Sequence, residues 1–146
     1  MKKTIKIFLL TIFSLILLSL FPKVEANSIN SISMDIAIDD NGNASVTEIW
    51  KCKTSQGIEV YHPYYNLGNS EISNLTVSEN GTKYTTLSTW NTSGTLSDKA
   101  YKCGINRLSN GVELCWGIST YGSHTYTIKY NISNFVSELS DSQMIY

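Results

Sequence analysis

The 146 residues include only two prolines, two histidines and three cysteines. Each scarcity removes a class of explanation. The histidines and cysteines form no set of ligands at zinc spacing, so no metal site is expected. No GxSxG or comparable nucleophile signature occurs. A triad assembled from distant residues would have to draw on Glu48, His62 and His124. Charge is also sparse, at 16% of residues, with a formal net charge of −1 and a pI near 6.1. No lysine or arginine cluster follows the first few residues, so no nucleic-acid surface is expected. No long apolar run follows Phe21, so the remainder supplies no membrane-spanning helix. No catalytic residue and no cofactor is assigned.

What is present begins with "MKKTIKIFLLTIFSLILLSLFPKVEA". Lysines lead, an apolar run from Ile7 to Phe21 follows, and Val24 and Ala26 suit a cleavage site. Residues 1–26 therefore read as a secretory signal peptide. Residues 27–146, about 120 in number, suffice for one exported domain with a modest core. That part is rich in Ser, Thr, Asn, Tyr and Ile, a composition of strands and turns.

Its clear segments alternate with period two. "SISMDIAIDDNGNASVTEIWKC" reads as a hairpin with a three-residue loop Asp40-Asn41-Gly42. Ile38 then faces Ala44, Ile36 faces Val46, Met34 faces Glu48 and Ile32 faces Trp50, which keeps one face apolar. A second hairpin turns at Asn80-Gly81 with Val77 facing Tyr84. A third turns at Asn110-Gly111, with Cys103 facing Ile118 and Ile105 facing Trp116. "GIEVYHPYYNLG" is an edge strand or a bend, because Pro63 cannot donate to a ladder. Thr85 to Asp98 reads as a long surface excursion. In the last long strand His124, Tyr126, Ile128, Tyr130 and Ile132 share one parity, expected to face inward. The fold class is therefore all-β: an antiparallel β-sandwich, immunoglobulin-like or similar, built from hairpins.

Several constellations invite a functional reading. Export makes a disulfide conceivable among Cys52, Cys103 and Cys115. The third hairpin sends Cys103 and Cys115 to opposite faces, so a Cys52–Cys103 bridge or buried free thiols are the better alternatives. "DDNGNASVTE" resembles part of a calcium loop, but Ala37 stands where the first ligand belongs and the flanks are strands. Glu48 shares the row of Val46 and Trp50, an unusual buried polar position. It requires a rim location or a partner such as Lys129, Arg107 or a tyrosine hydroxyl. Both histidines are expected at the surface or rim. Tyr64, Tyr65 and Trp90 are the candidates for exposed ligand contact, such as stacking on a carbohydrate.

The ordered motifs "ISMDIAIDDNGNASVTEIW", "DKAYKCGI", "GVELCWGISTYGSHTYTIKYNIS" and "DSQMIY" resemble the exported N-terminal domain of YciQ-like predicted membrane proteins, domain of unknown function 2207. The resemblance implies a β-rich domain outside the cytoplasmic membrane, followed in such proteins by transmembrane segments, and it brings no catalytic residues. Membrane association is expected only if the chain continues beyond Tyr146. The resulting expectation is a non-catalytic module for interaction or sensing at a bacterial cell surface, with an unknown protein or a wall polymer as partner. A carbohydrate- or wall-polymer-binding domain is the alternative.

Overall fold

The computed structural model describes residues 26–138 and 143–145. All but the last residue of the expected signal peptide lies outside that span. The strands are β1 (Ser28–Ile38), β2 (Ala44–Thr54), β3 (Glu59–Tyr65), β4 (Ile72–Glu79), β5 (Thr82–Lys83), β6 (Thr85–Leu87), β7 (Lys102–Leu108), β8 (Gly111–Gly117), β9 (Gly122–Ile132), β10 (Val136–Glu138) and β11 (Gln143–Ile145). One short helix, α1 (Leu96–Lys99), starts with a Thr95–Asp98 capping box. A five-stranded sheet in the order β1-β2-β9-β4-β5 faces a four-stranded sheet in the order β3-β8-β7-β6, while β10 and β11 pair separately. The all-β sandwich expected from the alternation is the fold.

The first hairpin has the expected register, with Ile38 opposite Ala44, Ile36 opposite Val46, Met34 opposite Glu48 and Ile32 opposite Trp50. Its turn is built by Asp39. The Asn43 and Asn41 backbone amides both donate to its carboxylate oxygen Oδ1 at 2.9 Å. Gly42 takes the left-handed φ of +77° that this loop demands. Both carboxylate oxygens of Asp39 thus serve the turn, since Asn43 Nδ2 donates to Oδ2 at 3.2 Å. This accounts for the calcium-like spelling without a cation.

Strand β2 alternates buried and exposed residues, and Ala44, Val46, Glu48, Trp50, Cys52 and Thr54 form its buried row. Strand β9 does the same with His124, Tyr126, Ile128, Tyr130 and Ile132, as its parity requires. From the opposite sheet Trp116 meets Trp50 edge-on at 5.3 Å and Tyr126 at 5.7 Å. Burying each such large side chain stabilises the fold by about 1.5–3 kcal/mol. The three cysteines are free and buried.

Two departures from the sequence reading have clear causes. Strands β7 and β8 pair Cys103 with Trp116 and Leu108 with Gly111, a register two residues away from the expected one. The turn is Ser109-Asn110, because Gly111 is a strand residue opposite Tyr65 of β3. A Cβ at Gly111 would lie 2.1 Å from the Tyr64 carbonyl oxygen, so glycine is fixed there by close approach. A slip of two keeps every side chain on its face, and Cys103 and Cys115 still point apart. The second departure follows Asn80-Gly81. That turn forms as expected, and the Tyr84 amide donates to the Val77 carbonyl at 2.8 Å. The chain then crosses to the other sheet, where β6 runs parallel to β7.

Candidate functional site

Two carboxylates lie inside the sandwich, each held by a histidine and a tyrosine. Glu48 is completely buried. Trp50 Nε1 donates to its Oε2 at 2.5 Å, and His62 Nδ1 lies 3.2 Å from the same oxygen. The Tyr64 hydroxyl donates to Oε1 at 3.2 Å, and the Tyr130 hydroxyl donates to Oε1 as well. Of the expected partners, the tyrosine hydroxyl is the one found. Lys129 lies opposite Thr47 on the other face, and Arg107 reaches Glu71 at the surface. Burial would raise the Glu48 pKa, but the hydrogen bonds from His62, Tyr130 and Trp50 and the attraction of His62 outweigh it and hold it below the ordinary value. Burial raises the Tyr64 pKa to about 12, although its contact with Tyr130 works the other way.

The second centre was not anticipated. Glu79 accepts from the Tyr84 hydroxyl at 2.7 Å and from Ser119 Oγ at 2.8 Å. His124 Nδ1 lies 2.6 Å from Glu79 Oε1, and its Nε2 lies 2.9 Å from Thr54 Oγ1. Here too burial opposes ionisation, and bonds from His124, Tyr84 and Ser119 prevail, lowering the Glu79 pKa. The signal was available, since Glu79 continues the buried row of Leu75 and Val77 just as Glu48 continues that of Val46. In the register the Trp50–Tyr126 pair separates the two centres.

Glu48, His62 and His124 therefore do not form one triad. Glu48 and His62 meet, while His124 belongs to Glu79. Thr54, His124 and Glu79 have the connectivity of a hydroxyl–imidazole–carboxylate relay, with Thr54 and His124 each only 4% exposed. The surface or rim position expected for His124 is corrected to the core, where it stacks on Tyr126 at 5.1 Å. His62 is half-buried.

The aromatic contact surface expected from Tyr64, Tyr65 and Trp90 does not assemble. Tyr64 and Tyr65 are adjacent in β3 and point to opposite faces. Tyr64 is half-buried with its hydroxyl on Glu48, and Tyr65 is exposed. Trp90 is buried, because its Nε1 donates to Glu59 Oε2 at 2.7 Å and the Lys99 ammonium lies 5.1 Å from its ring centroid. Lys99 also pairs with Glu59 and donates to the Thr92 carbonyl at 3.1 Å. Gly104 makes room for the indole, as a Cβ there would lie 3.3 Å from the ring. The expected loose excursion is thus pinned to the outer face of the four-stranded sheet.

The exposed apolar side chains lie elsewhere. Ile29, Ile32, Met34, Ile36 and Ile38 of β1 are 59%, 45%, 46%, 41% and 47% exposed. Their cross-strand partners Cys52, Trp50, Glu48, Val46 and Ala44 are all buried. Directly opposed residues share a face, so the β1 row is on the inner side of its sheet. It stays uncovered because β3, the edge of the facing sheet, sits over β2: His62 and Tyr64 of β3 reach Glu48. A cleft of about 320 Å³ marks the start of this overhang, with Ile29, Trp50, Cys52, Val60 and Ile118 in its lining. Among the described residues no group of His, Cys, Asp and Glu could hold a metal ion.

Residues 28–146 match the model of the predicted membrane protein (DUF2207) N-terminal domain. The chain belongs to the DUF2207 family. No curated protein and no solved structure matches it. Among the described residues of this DUF2207 domain, no helix is long and apolar enough to cross a membrane. The Trp116-Gly117 pair that carries part of the family resemblance has a structural reason. Trp116 fills the sheet interface, and a Cβ at Gly117 would lie 1.9 Å from the Lys99 carbonyl oxygen, where Ala100 bridges to β8.

Proposed function

We propose that this DUF2207 domain is a non-catalytic interaction module, carried on the outer side of a membrane, whose binding face is the uncovered inner row of β1. The observation that carries the reading is the exposure of five large aliphatic side chains in line, each opposite a buried partner. An apolar patch of this size on a monomer is often a contact site. The two carboxylate centres support a non-catalytic reading. Their oxygens are occupied by donors of the domain itself, and the Thr54 hydroxyl is engaged with His124. An outer location accords with the leader-like first 26 residues and with the family's description as predicted membrane proteins.

Photo-crosslinking in cells tests the reading. A benzophenone amino acid at position 36 is expected to form a protein adduct, and the same probe at the exposed, outward-facing Lys51 is expected to form none. Absence of any adduct at position 36 would remove the proposed face.

A further inference from the structure

Among the described residues the sandwich is one strand short. Five strands lie in one sheet and four in the other, and the shortfall falls opposite β1. A fifth strand beside β3 would lie over the β1 row at the normal separation of facing sheets, about 10 Å. That strand would need an alternating aliphatic row turned toward β1. Among the described residues β1 itself is a segment of this kind, at the edge of its sheet.

Building on the proposed binding face, we propose that its occupant is a second copy of this chain. In a two-fold arrangement each β1 lies over the other and occupies the fifth position beside the partner's β3. The contact is isologous, so one row serves as both surfaces. The axis then runs along the strands between the two layers, so Ile32, Met34 and Ile36 of one copy lie over the same residues of the other, and the flexible methionine side chains fill the centre. The only charged residue of β1, Asp35, is on the opposite face from the row. The two Asp35 carboxylates therefore point away from each other. Strand β1 contains no proline or lysine, the usual devices that keep an edge strand from pairing. Pro63 removes one ladder donor from β3. The contact therefore rests mainly on side-chain packing.

Area fits a weak, concentration-dependent contact. The five row residues expose roughly 450 Å² per copy, so two copies bring roughly 900 Å², in the range of transient rather than permanent interfaces.

Sedimentation velocity on the protein purified after export is the test. The wild type is expected to pass from monomer to dimer as its concentration rises through the micromolar range. Ile32→Lys/Ile36→Lys should weaken association by about 100-fold or more, because four ammonium groups would enter one apolar contact. Ser33→Lys, on the outer face, should leave it unchanged. Both changes are at exposed positions, and circular dichroism checks that the fold is kept. A wild type that stays monomeric at every concentration overturns the inference, as does a monomer that co-sediments with phosphatidylethanolamine–phosphatidylglycerol vesicles. If the position-36 probe then still yields an adduct with a different protein, the interaction reading stands and self-association alone is lost.

Discussion

Glu48 and Glu79 solve one problem by the same means. A carboxylate among aliphatic and aromatic neighbours is costly unless donors surround it. Each receives a histidine and a tyrosine, with a second tyrosine and a tryptophan added at Glu48 and a serine at Glu79. The result in both cases is a pKa below the ordinary glutamate value of 4.5. Between that value and the lower folded one, the unfolded chain binds more protons than the folded one. Stability is therefore complete above 4.5 and declines as pH falls through the folded values. Thermal melts should show a plateau in Tm from neutral pH down to about 5, then a fall. Glu48→Gln should cost about 1–3 kcal/mol at neutral pH, since charge-assisted bonds are lost in a buried place. It should also make the acid decline shallower, because one of the two groups responsible is gone. A steeper decline in the variant would show that Glu48 is not held ionised by its partners. The anomaly of Glu48 was legible in its row, and so in principle was that of Glu79. The identity of most partners was not, because His62, Tyr130 and His124 come from strands whose pairing a one-dimensional pattern does not specify.

Single elements show where local chemistry suffices and where it fails. The β1–β2 hairpin is dictated by Asp39, Gly42 and two apolar rows, all within its own residues, and its register follows from them. The β7–β8 turn is decided from outside. Asn110-Gly111 is a good turn by itself, but β3 packs so closely that glycine is needed in the strand instead. The segment from Thr85 to Lys99 is the strongest case of tertiary override. Weak patterning suggested a loose excursion with Trp90 at its surface, whereas a Glu59–Lys99 pair and an indole over Gly104 hold it down. Cys115 lies beneath this cover on the same face as Glu59. Burial, together with Glu59 and Glu113, pushes its thiol to about 12. Trp90→Ala should cost about 3–5 kcal/mol through the cavity it leaves. It should also make Cys115 reactive toward a thiol reagent at mildly alkaline pH, while Cys52 and Cys103, buried between the sheets, stay protected. Mass spectrometry of the labelled peptides reads the difference, and equal labelling of all three thiols would mean that the variant has opened globally.

At the scale of the whole molecule, alternation identified faces but not neighbours. It showed that β2 and β9 each have one apolar side. It did not show that β9 lies between β2 and β4, or that the facing sheet stops one strand short. For that reason β1, which reads like any core strand, remains uncovered. The central place of β9 has a kinetic consequence. Its residues 122–132 pair with residues 44–54 on one side and with residues 72–79 on the other. Pairing with β2 joins residues 68 to 88 apart and pairing with β4 joins residues 47 to 60 apart, and both carboxylate centres await β9, so loop-closure entropy precedes most of the stabilising contacts. Refolding should therefore take milliseconds to seconds, the range of β-sandwiches dominated by distant pairings. Trp50 and Trp116, buried against each other, report the event in stopped-flow fluorescence. Their signal should change together with backbone ellipticity, because the tryptophans touch only when both sheets are in place. A tryptophan signal complete in microseconds would mean that the two sheets meet before β9 pairs, and the role assigned here to that strand would have to be given up.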